Sequence, residues 1–204
     1  MLSPKIESWS LVIPGSWNRQ ILTPAWLGGA GEVTTSQDIG VEVAIDDITA
    51  PRRILFEELI LEVASARLVL KPQTINDEVL KRIQNIATKI LEKLPHTPIR
   101  GLGVNFAYRE SEPTDKLKAL FNFTDSTSVA AEEWTVQSST VQRELVKNNQ
   151  VLNFRASYMR DNSVEFLANY HFEAKSSRAA IEALVFDIIS LKNETPLLLN
   201  KLYS

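Results

Sequence analysis

An acidic residue and a Glu-x-Lys motif flank one predicted strand in the second half of the chain. Asp161 lies in a predicted hairpin turn, and Glu173-Ala174-Lys175 follows the strand that begins after this turn. Two carboxylates that converge can hold Mg²⁺, and a neighbouring lysine can position the water that attacks a phosphodiester. Asp161, Glu173 and Lys175 are therefore the candidate catalytic set.

In this order the three residues resemble the core of restriction-type nucleases, and the resemblance implies metal-dependent cleavage of nucleic acid. A second interpretation is that Asp161 is only a turn residue, because Asp and Asn are favoured in tight turns. Lysine and arginine nowhere cluster into the basic tract that releases many phosphate counterions. Nucleic acid is therefore not the favoured partner, and nuclease activity is the alternative to the function preferred below.

Other residue types that could support catalysis or metal binding are scarce. The chain has no cysteine and two histidines, so disulfides, thiolate ligands and Cys/His zinc sites are excluded. His96 lies in a proline-bounded turn, and His171 lies on the polar face of a predicted strand, where a surface side chain is expected. The sequence predicts no cofactor and no metal, and it favours a protein that is not an enzyme.

The composition is typical of a globular protein. Of 204 residues, 44% are hydrophobic and 23% are charged, and the formal net charge is −3. No apolar run approaches the roughly 20 residues that span a bilayer. The N-terminus lacks the pattern of a signal peptide, and the absence of cysteine fits a reducing compartment. We expect a cytoplasmic protein that does not cross membranes.

The first half mixes strands with helices. Residues 41–46 alternate as a half-buried strand, and residues 53–71 predict a hairpin with its turn at residues 64–66. Thr74 can cap a helix that ends before Pro95. A strand over residues 99–108 and a short helix opened by Pro113 and Thr114 follow. The polar stretch 124–128 is the expected boundary between two halves.

The second half predicts a three-stranded antiparallel meander. Asn148-Asn149 and Asp161-Asn162 each separate two alternating stretches and tolerate the positive φ of hairpin turns. A helix that begins near Ser176-Ser177 should pack on this meander. Because proline is favoured at the first helical position, Thr195-Pro196 should start a separate terminal turn or helix.

We expect an α+β fold in which mainly antiparallel sheets are packed by amphipathic helices. One organisation has an N-terminal half, 1–123, and a C-terminal meander with a closing helix, 129–204; the other is one continuous domain, 1–204. A weak similarity at a constant offset of 64 residues suggests duplication. It relates Leu102, Asn105, Phe106, Tyr108, Leu117, Ala119 and Leu120 to Phe166, Asn169, Tyr170, Phe172, Ile181, Ala183 and Leu184.

The preferred function is a non-catalytic interaction protein or an accessory subunit of a larger bacterial or phage assembly. Trp9, Trp17 and Trp26 are candidate partner-binding residues because tryptophan is enriched in binding hot spots, although buried core positions are the alternative. The apolar tail residues Leu198, Leu199 and Leu202 could bind another protein or a second copy. A third hypothesis is a small-ligand pocket between the halves, lined by Phe106, Tyr108, Tyr170 or Phe172.

Overall fold

A computed structural model describes residues 1–29, 39–44, 47, 50–56, 58–147 and 150–203. Within these residues ten strands form one sheet, and every neighbouring pair is antiparallel. The strands are β1 (Leu2–Pro4), β2 (Ser10–Pro14), β3 (Gly40–Glu42), β4 (Arg52–Leu55), β5 (Leu59–Ala64), β6 (Arg67–Pro72), β7 (Leu102–Glu110), β8 (Ser138–Lys147), β9 (Gln150–Met159) and β10 (Val164–Phe172).

Six α-helices complete the described part, and together with the sheet they confirm the α+β class. They are α1 (Pro24–Gly29), α2 (Asp77–Lys93), α3 (Asp115–Lys118), α4 (Ser126–Ala131), α5 (Ser177–Ala183) and α6 (Ile188–Tyr203). Short 3-10 turns occupy residues 6–8 and 119–121. Among these helices none is both long and apolar enough to cross a bilayer.

The sheet has a similar connectivity on both sides of its centre, with four meander strands beyond β2 and three beyond β7. Its order is β3-β4-β5-β6-β2-β7-β10-β9-β8, with β1 beside β7. On one side, β2 is followed by the meander β3–β6, whose last strand pairs with β2 and leads to α2. On the other side, β7 is followed by the meander β8–β10, whose last strand pairs with β7 and leads to α5. By this connectivity β7 corresponds to β2 and β10 to β6. The offset of 64 residues instead relates β7 to its own neighbour β10, where Asn105 lies directly opposite Asn169.

Strand alternation gives the sheet two chemically different faces. Alternate residues of each central strand are apolar and lie in the core with the buried residues of α2 and α6, because successive side chains of a strand point to opposite faces. We call this the helix face. The outer face carries the intervening residues, including Asn105 and Asn169. β7 pairs with β2 and with β10, so the sheet is continuous between the two predicted halves.

The hairpin predicted over residues 53–71 is confirmed for β5 and β6, which pair across a turn at Ser65 and Ala66. The predicted helix is confirmed as α2, but its cap differs. The Asn76 side chain accepts from the Glu78 N–H, so the helix begins two residues beyond the expected Thr74 cap. Both Asn and Thr are favoured at the N-cap position, so the local sequence offered Thr74 and Asn76 as two neighbouring candidate caps.

The C-terminal helices are divided at a different position from the one predicted. Asp187 accepts hydrogen bonds from the Ile189 N–H and the Ser190 hydroxyl, and it starts α6 where a continuous helix was expected. Pro196 lies inside α6 and does not open a separate helix, so that prediction was wrong. Tertiary packing of α6 on the sheet outweighs the local cost of an internal proline.

Two further elements depart from the sequence reading, and one predicted turn is confirmed. β3 is short, and Val41 in it is exposed although a half-buried strand was expected. Residues 126–128 of the expected boundary loop belong to α4. The Asn162 turn is confirmed with a positive φ of 63°. The predicted Asn148-Asn149 turn lies outside the described residues.

Candidate interaction surface

The outer edge of β8 is the longest exposed strand edge in the described chain. β8 spans ten residues and, among the residues that the structure describes, pairs with β9 alone. Alternate N–H and C=O groups of an edge strand point away from the sheet, where another strand can pair with them. The opposite edge strand, β3, has three residues. β8 is therefore the edge best able to accept a further strand.

An apolar cavity lies beside β8 at its C-terminal end, on the helix face. Its volume is about 370 Å³, and Leu145, Leu152, Tyr170 and Leu198 form most of its wall. Leu198 belongs to α6, so the cavity lies between the last helix and the sheet edge. Lys147, Gln150 and Glu194 complete the wall. We call this space the α6 cavity.

A second cavity lies at the other end of β8. It measures about 380 Å³ and is lined by Phe121, Val136, Ser139 and Tyr158 together with neighbouring polar residues. The Phe121 and Tyr158 rings stack with their centroids 5.5 Å apart. Ser139 lies opposite Tyr158 in the sheet, so this space is also on the helix face. We call it the Phe121 cavity.

Arg143 lies on β8 between the two cavities. It shares the helix face with Val141 and Leu145, and its side chain is exposed. Among the described residues no carboxylate forms a salt bridge with it. Burial raises the pKa of the Tyr203 phenol, and the positive charge of Arg143 acts in the opposite direction. Arg143 thus adds an exposed positive charge to the helix face of β8 between the two cavities.

Trp134 borders this surface and is the tryptophan that the sequence reasoning did not select. Its side chain is 75% exposed, and it immediately precedes Thr135 and Val136 of the Phe121 cavity. The Glu133 residue before it has a positive φ of 62°, and the Trp134 N–H donates to the Val129 carbonyl at the end of α4. The sequence did contain a signal that Trp134 is exposed, because two glutamates precede it and a stretch rich in Ser and Thr follows it.

The three tryptophans selected from the sequence lie elsewhere. Trp9 and Trp17 are 2% and 4% exposed, and their indole N–H groups donate to the backbone carbonyls of Ala107 and Ile13. Trp9 packs edge-on against Phe106. Trp26 is half-buried against the core. Trp9 and Trp17 are therefore core side chains within this chain.

The apolar tail residues are distributed around α6. Leu199 is 3% exposed and belongs to the core, Leu198 lines the α6 cavity, and Leu202 is exposed. Tyr203 stacks with Phe154 and Phe166 at centroid distances of 5.9 and 5.7 Å. The last helix is thus integral to the fold.

The candidate catalytic residues are not brought together in one chain. Asp161 precedes β10 and Glu173 follows it, and nine strand residues between them span roughly 30 Å. Asp161 accepts from the Ser163 hydroxyl and N–H and forms an ion pair with Arg109. These contacts, the Ser163 hydroxyl first, lower the pKa of Asp161. Lys175 is exposed beyond the end of β10, beside Glu173.

The residues named for a small-ligand pocket are mostly core residues. Phe106 and Tyr108 are buried beside Trp9, and Phe172 stacks on Phe186 at 4.5 Å. Tyr170 lines the α6 cavity, and Phe172 lines a separate cavity of about 530 Å³ beside His171 and Glu173. The Tyr170 hydroxyl forms a 2.9 Å hydrogen bond with Thr195.

The outer face carries a chain of side-chain amides across four strands. Asn153 donates to Asn169 at 3.3 Å, Asn169 to Asn105 at 2.7 Å, and Asn105 to the Ser10 hydroxyl at 3.0 Å. These residues lie directly opposite one another in the sheet. A cavity of about 300 Å³ adjoins Asn105, with Lys5 in its wall. These outer-face side chains are polar and hydrogen-bonded to one another, in contrast to the apolar residues that form most of the wall of the α6 cavity.

No group of three or more metal-ligating side chains occurs among the described residues. Comparison of the chain with protein-family models and with curated protein sequences finds no significant match. The geometry of β8 and its two cavities is therefore the basis of the functional proposal.

Proposed function

We propose that this chain is a non-catalytic interaction protein that binds an extended segment of another protein as an added strand along β8. The observation that carries the proposal is the ten-residue edge of β8, which pairs on one side only within the described chain. In strand addition, backbone hydrogen bonds provide affinity and pockets for alternate side chains provide specificity. The α6 and Phe121 cavities supply such pockets at the two ends of the strand.

Exposed apolar side chains along β8 support the same proposed function. Leu145, Val146 and Val136 are partly or fully exposed along this edge, and Trp134 lies beside it. Tryptophan is enriched in binding hot spots, where a neighbouring apolar surface becomes desolvated. An accessory subunit of a larger assembly would use such a surface without any catalytic group.

Paired proline variants test strand addition. Adjacent residues of an edge strand direct their N–H groups to opposite sides, so one of Val141→Pro and Gln142→Pro removes an outward N–H and the other removes an N–H that bonds β9. The inward variant should lower the melting temperature. The outward variant should keep the fold, which circular dichroism verifies, and should lose peptide binding.

The ligands for this test are ten-residue peptides selected from a random display library on the immobilised wild-type protein. Peptides that bind the wild type and fail to bind the folded outward variant support the proposal. A control peptide methylated on its backbone nitrogens should also lose binding. Selected peptides that bind the outward variant as tightly as the wild type would overturn strand addition at β8.

A further inference from the structure

We infer that the segment bound along β8 belongs to a different protein and carries an acidic side chain opposite Arg143, between apolar side chains that enter the two cavities. The inference rests on the proposed function and specifies its partner. It follows from three features of the helix face of β8: the α6 cavity at Leu145, the Phe121 cavity at Ser139, and the Arg143 charge between them.

The spacing of these features defines the pattern of the partner. All strand pairs of this sheet are antiparallel, so we take the added strand to run antiparallel to β8. Its residue opposite Leu145 is followed two positions later by the residue opposite Arg143 and six positions later by the one opposite Ser139. Alternate residues share a face, so these side chains all point to the helix face. The expected pattern is apolar, any, acidic, any, apolar, any, apolar.

Charge argues against a second copy of β8 as the occupant. In a two-fold symmetric antiparallel pair both strands keep the same face on the same side of the sheet. Arg143 could then meet only the odd-numbered residues of the second β8, which are Ser139, Val141, Arg143, Leu145 and Lys147. None of them is acidic, and the symmetric register centred on Arg143 places two guanidinium groups opposite each other. Glu144 lies on the outer face of the sheet and therefore cannot neutralise the charge of an Arg143 side chain on the helix face.

The test uses two synthetic peptides with blocked termini, Leu-Thr-Glu-Thr-Val-Thr-Leu and the same peptide with Lys in place of Glu. Fluorescence anisotropy should show that the Glu peptide binds the wild type about five- to tenfold more tightly than the Lys peptide, and that salt reduces the difference. Arg143→Glu should reverse the preference. The matched control is Arg155→Glu, because Arg155 is an exposed arginine on β9 whose side chain lies on the outer face.

The outcomes separate this inference from the proposed function. A reversed preference in Arg143→Glu with no reversal in Arg155→Glu supports the acidic partner. Equal binding of both peptides that is lost in the outward proline variant would overturn the acidic pattern and leave strand addition intact. Binding that survives the outward proline variant would overturn strand addition itself. A failure of both peptides to bind, or dimerisation of the chain through β8 in cross-linking, would overturn the partner inferred here.

Discussion

The Tyr108 hydroxyl donates a 3.2 Å hydrogen bond to the Lys192 carbonyl, four residues before Pro196. Because proline has no N–H, this carbonyl lacks the donor that residue 196 would otherwise supply within α6. A tyrosine on the central strand β7 therefore replaces the missing helical hydrogen bond. The contact explains how α6 continues through a proline that the sequence reading took for a helix start.

Removal of the Tyr108 hydroxyl should destabilise the protein only while Pro196 is present. Tyr108→Phe leaves the Lys192 carbonyl without its donor and should cost about 1 kcal/mol of unfolding free energy. In a Pro196→Ala background the alanine N–H can bond the carbonyl, so the same change should cost clearly less. Urea unfolding of the four proteins measures this coupling. Equal losses in both backgrounds would show that the tyrosine does not substitute for the helical donor.

Stability should fall in alkaline solution because burial raises the pKa of Tyr108, Tyr170 and Tyr203 above the ordinary value near 10. The unfolded phenols ionise near pH 10, whereas the folded ones hold their protons. The stabilising contribution is complete below about pH 10 and is lost as the pH rises towards the folded pKa values. Urea midpoints measured as a function of pH should show this loss, and Tyr170→Phe should make it shallower. An unchanged pH dependence in that variant would contradict the assignment for Tyr170.

The amide chain on the outer face should stabilise the sheet. Asn169→Ala removes hydrogen bonds to both Asn105 and Asn153, and we expect a loss of about 1–3 kcal/mol. Asn85→Ala is the control, since Asn85 is exposed on α2 and alanine favours helix. Urea unfolding should give a lower midpoint for Asn169→Ala alone. A midpoint equal to that of the wild type would mean that water replaces these bonds at no cost.

Two aspartates should titrate below their usual range, each for a local reason. The Ser163 hydroxyl is the main cause of the lowered pKa of Asp161, and the Ser190 hydroxyl is the main cause at Asp187. Carboxyl NMR titration should show Ser163→Ala raising the pKa of Asp161 without affecting Asp187, and Ser190→Ala doing the reverse. A lowered folded pKa means that the contribution to stability is present above the unfolded pKa of about 3.9 and is lost as the pH falls through the folded value. Parallel shifts in both variants would argue against the local assignments.

Trp134 should account for most of the tryptophan emission that iodide quenches. Its side chain is 75% exposed, whereas Trp9 and Trp17 are buried. Trp134→Phe should therefore abolish most of the quenching, and Trp26→Phe should change it less because Trp26 is half-buried. Stern–Volmer analysis compares the two variants. Quenching that persists after Trp134→Phe would place another indole at the surface.

Local sequence patterns predicted the strands, turns and helices that depend mainly on their own residues. Alternation and turn residues predicted the β5–β6 hairpin and the Asn162 turn, and helical spacing predicted α2. The cap residues were less certain, because Thr74 and Asn76 are both good caps and only the path of the chain before the helix selects one. Pro196 was misplaced because its helix depends on Tyr108, which lies 88 positions away in the sequence and is invisible to any local rule.

The candidate surface along β8 likewise depends partly on local sequence and partly on the tertiary structure. By itself, the sequence determined the β5–β6 hairpin, the helix α2 and the exclusion of cysteine chemistry, because periodicity, turn preferences and composition are local properties of the chain. Only the tertiary structure decided that β8 is an edge strand, that Trp134 and not Trp9 is exposed, and that Asp161 and Glu173 are far apart. Which strands become neighbours in a sheet depends on how all segments together bury one shared core. This is a property of the whole chain and cannot be read from any single segment.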